Sequence, residues 1–232
     1  MMKVAEMITA ETIYYQEGNL DRFLGFSPEQ LPIVLQIGGS NLENIAKATK
    51  LADAYGYDEI TFNCGCPSPR VVGHGCFGVR LMLDPKFVGE AMLVIAANTG
   101  VPVTVKCRID VDDRDSYNEL CDFIYKVSSS SPVKHFITHS RKTLLNGSSI
   151  PPLKSGYYYI LLHDFPDLKF IVNGGINTIE EVNAARSAGA YGVMLGRAAF
   201  YKSLKCFRCM ETLFLKYMGT TDQIFVMCLS CA

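Results

Sequence analysis

Seven short runs rich in β-branched and other apolar residues punctuate the chain. They are Val4-Ala5-Glu6-Met7-Ile8, Ile33-Val34-Leu35, Ile60-Thr61-Phe62, Val103-Thr104-Val105, Phe136-Ile137-Thr138, Phe170-Ile171-Val172 and Val193-Met194-Leu195. Between them apolar residues recur at helical spacing, so the pattern reads as alternating strand and helix units. One helix is predicted from near Ser40, with Glu43 three residues on as in a capping box, and with Ile45, Ala48, Leu51 and Ala52 on one face. A second takes Asp84 as N-cap and Pro85 as its first residue, then runs through Phe87, Val88, Met92 and Ile95. A third runs from about Asp115 to Val127, and Ser128 to Pro132 reads as a loop. A fourth is capped by Thr178 and stops at Ala188-Gly189, where glycine suits the helix end.

Strands with near-continuous apolar runs, each followed by a helix, imply a parallel sheet covered on both faces. Seven of them predict a TIM-type (β/α)8 barrel that lacks one unit. A doubly wound open sheet is the alternative, and periodicity alone does not separate the two. Residues 1–201 are expected to form this barrel. Residues 202–232 follow no such rhythm and read as a divergent cysteine-rich tail.

Composition narrows the picture. At 232 residues with 49% hydrophobic content, the chain suits one large domain with a real core. A net charge of −1 argues against nucleic-acid binding driven by overall charge. Nine cysteines, odd in number and scattered, suggest a reduced intracellular chain. The opening MMKVAEMITAET lacks a leader's apolar core, and no apolar run approaches the roughly 20 residues of a membrane span. The expected location is cytoplasmic, with no membrane association and no stable protein partner.

The candidate chemistry stands at the strand ends. Gln36, Asn63, Lys106, His139 and Asn173 end successive apolar runs, and Gly196-Arg197 ends the last. In a parallel barrel these ends share one mouth, where sites in this fold are built. Asn173-Gly174-Gly175 and Gly196-Arg197 have the backbone access and guanidinium of a phosphate site after the final strands. Flavin mononucleotide (FMN) suits a mouth that also offers an amide, an ammonium and an imidazole. The third run passes directly into FNCGCPSPR, which sets Cys64 and Cys66 at the same mouth.

The segments LQIGGS, GYDEITFNCGCPSPRV, GCFGVRLM, PVTVKCRI, HSRKTLLNG, DFPDLKFIVNGGI and GVMLGRAAFY carry a resemblance. Over roughly Val4 to Tyr201 the chain resembles the tRNA-dihydrouridine synthases, and among them the A-type branch. The resemblance implies a flavoenzyme that reduces uridine in tRNA, with NADPH as reductant. It implies that Gln36, Lys106, His139, Asn173, Gly174, Gly175, Gly196 and Arg197 bind FMN, that Asn63 contacts the substrate RNA, and that Cys66 is the catalytic acid. An ordinary thiol, with a pKa of about 8.5, is mostly protonated at neutral pH and can donate. Cys64 is read as a core residue.

The chain also departs from that family. It begins at what would be the second strand of the barrel, so a gap beside the flavin pocket is expected. It is about half a dozen residues short after HSRKTLLNG, where the family helps to hold tRNA. It has the cysteine-rich tail in place of a helical RNA-binding domain, and Asp110 where the family usually has glycine. Cys206-x2-Cys209 and Cys228-x2-Cys231 fall within a zinc-ribbon spacing but lack the supporting glycines, so no metal is expected. His74, His135 and His163 have no partner at metal spacing. Arg70, Arg108, Arg141 and Lys142, near the mouth loops, suit RNA phosphate or structural ion pairs. Two alternatives stand beside uridine reduction: a truncated, non-catalytic relative, and another FMN-linked barrel oxidoreductase acting on a pyrimidine.

Overall fold

The computed structural model describes residues 1–74, 76–145, 150–196 and 224–227. Eight parallel strands close into a barrel in chain order. They are β1 (Met2–Thr9), β2 (Ile33–Gly38), β3 (Glu59–Cys64), β4 (Val103–Arg108), β5 (His135–His139), β6 (Lys169–Asn173), β7 (Gly192–Leu195) and β8 (Ile224–Met227). The first seven contain the seven apolar runs, as the periodicity predicts. The helices are α1 (Ala10–Tyr15), α2 (Asp21–Leu24), α3 (Leu42–Asp53), α4 (Pro85–Ala97), α5 (Tyr117–Ser130), α6 (Ser155–Asp164) and α7 (Ile179–Ser187).

β8 was not foreseen. The seven predicted strands leave one barrel position unfilled, and a segment of the tail fills it. Phe225 pairs with Met2 on one side and Met194 on the other, and Val226 pairs with Lys3 and Leu195. The expected gap between β7 and β1 is therefore closed. The four cysteines of the tail lie outside the described residues, as does most of the segment from 202 onward.

Side chains alternate across each strand, so successive residues serve two cores. Those facing the helices, such as Phe62, Phe136 and Phe170, join one large cluster with the buried faces of α3, α4 and α5. Full burial of side chains of this size contributes roughly 1.5–3 kcal/mol each. Those facing the barrel axis include Val4, Val34, Ile137, Ile171 and Met194, which form a plug beneath the mouth.

Several local readings change. Asn41, not Ser40, caps α3, by accepting from the Asn44 N–H. Its inner face carries Ile45, Ala48 and Ala52, with Leu51 partly buried against the core, and adds a buried Thr49. The serine run does not end α5 at Val127, because Ser129 and Ser130 turn their hydroxyls back onto the Lys126 carbonyl and the helix continues to Ser130. The caps of α4 and α7 are Asp84 and Thr178, as read from the sequence.

Candidate active site

The carboxyl ends of the strands surround a cavity of about 950 Å³. Gln36, Asn63, Cys66, Lys106, His139, Asn173, Gly174, Gly175 and Gly196 all line it. Of the site residues read from the sequence, Arg197 alone lies outside the described residues. The strand register explains the convergence: Asn63 pairs with Lys106, and His139 with Asn173. Glu6, Met7, Arg70, Arg108, Arg141 and Leu153 also line the cavity. Glu6 and Met7 went unrecognised because β1 is irregular between Val4 and Met7, which obscures the alternation that would have aimed them inward.

The two cysteines of the third strand end separate cleanly. Cys64 is fully buried on the helix-facing side, beside Cys107 in register, and burial pushes its thiol well above the usual range. Cys66, two residues on, has left the strand, is partly exposed and lines the cavity.

Asn63 organises this turn. Its Oδ1 accepts from the N–H of Gly65 at 3.0 Å and of Cys66 at 2.8 Å. Its Nδ2 donates to Gln36 Oε1, and Gln36 Nε2 donates to the Ala5 carbonyl at 3.2 Å. Both amides are thus partly engaged by the protein while facing the cavity.

Lys106 is buried, and burial with the nearby Arg108 holds its ammonium down to about 8. It forms no ion pair among the described residues, an arrangement that favours an electron-rich ligand in the cavity. Asn173 is fixed by donating from Nδ2 to the Met194 carbonyl at 2.9 Å. Gly174 and Gly175 have φ of +100° and +79°, and a Cβ on either would press into His139 or Leu153. The turn therefore needs glycine for close packing as well as for backbone access.

The basic residues divide. Lys142 pairs with Asp115 at 2.7 Å, one of the structural ion pairs foreseen. Arg141 donates to the Pro151 carbonyl. Arg108 forms no ion pair among the described residues: it donates from Nε to the Gly65 carbonyl at 2.7 Å and from Nη1 to the Arg141 carbonyl at 3.2 Å. Asp110, at the departure from the family pattern, is buried and paired with Lys154 at 3.5 Å. Burial raises its pKa. Among the described residues no group of three or more His, Cys, Asp or Glu is arranged to hold a metal. None of their helices is long and apolar enough to cross a membrane.

Comparison with known proteins places the chain in a family. Residues 1–212 match the family model for dihydrouridine synthase (Dus). The chain belongs to the dihydrouridine synthase family. It is 43% identical over 201 residues to a tRNA-dihydrouridine(20/20a) synthase of Escherichia coli O6:H1, covering 84% of this chain and 59% of that protein. Over the same length it is 41% identical to the Xylella fastidiosa protein of that name, covering 84% of this chain and 58% of the relative. The chain thus spans under three fifths of these dihydrouridine synthases. Among solved structures, a putative lyase/mutase from Burkholderia cenocepacia J2315 shares the fold, with a TM-score of 0.53 at 10% identity over 95% of this chain and 84% of that one.

Proposed function

We propose that the chain carries the catalytic site of an FMN- and NADPH-dependent enzyme that reduces uridine in tRNA to 5,6-dihydrouridine. The observation that carries this reading is the position of Cys66. A partly exposed thiol stands at the rim of a cavity whose inner wall presents Lys106, His139 and the Asn173–Gly175 turn. Membership of the dihydrouridine synthase family and the relatives named above support the same chemistry.

The cavity fits the cofactor on its own terms. Its volume suits a ligand of nucleotide size, Lys106 is a buried ammonium that an electron-rich ring edge would satisfy, and the glycine turn offers backbone N–H groups. Gln36, Lys106, His139, Asn173, Gly174, Gly175 and Gly196, together with Arg197, would hold it. When bound and reduced by NADPH, FMN would supply a hydride for C6 of the uracil.

The chain's own residues do the rest. Cys66 gives its thiol proton to C5 as the C5=C6 bond is lost, and solvent at the open rim returns a proton to the thiolate. Asn63 holds the loop that presents this thiol and has capacity left to meet the base. The target nucleotide leaves its stack to reach the cavity. Among the described residues, Arg70, Lys106, Arg108 and Arg141 stand around the cavity against a single lining carboxylate, Glu6. A neutral chain can therefore offer RNA a locally cationic entrance.

The test is dihydrouridine formation on tRNA lacking the modification, with purified chain, FMN and NADPH, read by mass spectrometry of the digested nucleosides. Dihydrouridine above the no-enzyme control is expected. Flavin binding with no product on tRNA, and reduction of a free pyrimidine instead, would favour another barrel oxidoreductase. Neither binding nor product would favour a non-catalytic relative.

A further inference from the structure

The dipeptide Gly65-Cys66 has every backbone polar group engaged. Both N–H groups donate to Asn63 Oδ1. The Cys66 carbonyl accepts from the Val79 N–H at 3.0 Å. That approach depends on Gly78, which has φ +67° and whose place leaves only 2.6 Å between an added Cβ and the Cys66 oxygen. The Gly65 carbonyl accepts from Arg108 Nε at 2.7 Å. Two strand ends and one short helical turn thus fix the segment that follows β3, and Arg108 is the side-chain donor of the set.

We propose that Arg108 is a positioning residue, which acts through the Gly65 peptide to hold the Cys66 thiol where it meets the substrate base. A guanidinium suits the task because its rigid fork reaches two carbonyls, Gly65 at the end of β3 and Arg141 after β5, from its own place at the end of β4. It ties together three adjacent strand ends around the thiol. No carboxylate neutralises it among the described residues, and burial lowers its pKa to about 10. The charge stays in place beside the cavity, and the carbonyl oxygens take up part of it. This inference rests on the proposed role of Cys66 as proton donor.

Two measurements on the full chain decide it. In Arg108→Ala, hydrogen exchange across residues 63–68 should quicken about tenfold or more, with or without flavin and tRNA. Arg108→Lys, which keeps one donor, should recover part of that protection, and it carries the same readouts if the alanine variant does not fold. Single-turnover oxidation of reduced flavin by tRNA should fall roughly tenfold to a hundredfold in Arg108→Ala, as a small misplacement of a reacting group costs. Made on a Cys66→Ala background, the same substitution should cost less than about threefold, since the group it positions is already gone. Unchanged exchange overturns the clamp, and so does an equal loss on both backgrounds, which would make Arg108 an independent substrate contact. If the wild-type chain neither holds flavin nor oxidises it with tRNA, the functional reading fails and the exchange measurement alone judges the clamp.

Discussion

Lys106 sits in the wall of the cavity without a counter-ion among the described residues, and its ammonium is held down to about 8 chiefly by burial. An electron-rich ligand against it restores the charged form, so binding and protonation reinforce each other. Lys106→Ala should weaken FMN by about 1–3 kcal/mol, the worth of a hydrogen bond to a charged group. Fluorescence titration measures this, and unchanged affinity would place the ligand elsewhere. The sign with pH follows: in the wild type, affinity should fall as pH rises through 8, where the free lysine loses its proton. Glu59 is the opposite case. It is buried inside the barrel, and burial raises its carboxyl to about 7 despite hydrogen bonds from the Thr104 and Thr61 hydroxyls. A folded pKa above the unfolded one means its contribution is full below about 4.5 and is lost as pH rises through 7. Glu59→Gln keeps an acceptor and removes the charge. It should unfold later in urea than the wild type at pH 8, by on the order of 3 kcal/mol, and by much less at pH 5. An equal difference at both pH values would contradict this account of Glu59.

β8 is four residues long, yet it has a ladder on each side and borders both walls of the cavity that come from the chain's extremes. β1 carries Glu6 and Met7, and β7 carries Met194 and leads into Gly196. Phe225→Pro removes a ladder donor from the closing strand. It should lower the melting temperature and speed amide exchange in residues 2–4 and 192–195. Exchange unaltered at both edges would mean that β8 does not hold the barrel closed. The elements also show what the sequence could carry. Strands buried on both faces reveal themselves as apolar runs, and the polar residues that end them reveal the mouth. α6 was missed because Tyr-Tyr-Tyr-Ile-Leu-Leu is apolar all round and has no amphipathic stripe. β8 was missed because a four-residue strand gains its place from its neighbours' edges, not from its own pattern. The clasp of Arg108 on Gly65 was invisible for a related reason: its acceptor is a backbone carbonyl, and every residue has one.

At the scale of the molecule, a nearly neutral chain gathers Arg70, Lys106, Arg108 and Arg141 at one mouth, above an apolar plug and around a partly exposed thiol. Composition averages that charge away, whereas the barrel concentrates it. Cys66 lines the same cavity as the groups proposed to hold the flavin. The claim that joins these features is that Cys66 donates the C5 proton to uridine held over reduced flavin. One measurement meets it most directly: anaerobic single turnover of the flavin-loaded, pre-reduced chain with tRNA lacking dihydrouridine, run beside Cys66→Ala. The wild type should oxidise its flavin and form dihydrouridine, while the variant, with flavin bound and reduced to the same extent, should form almost none. Equal product from both proteins, or none from the wild type, would contradict the account.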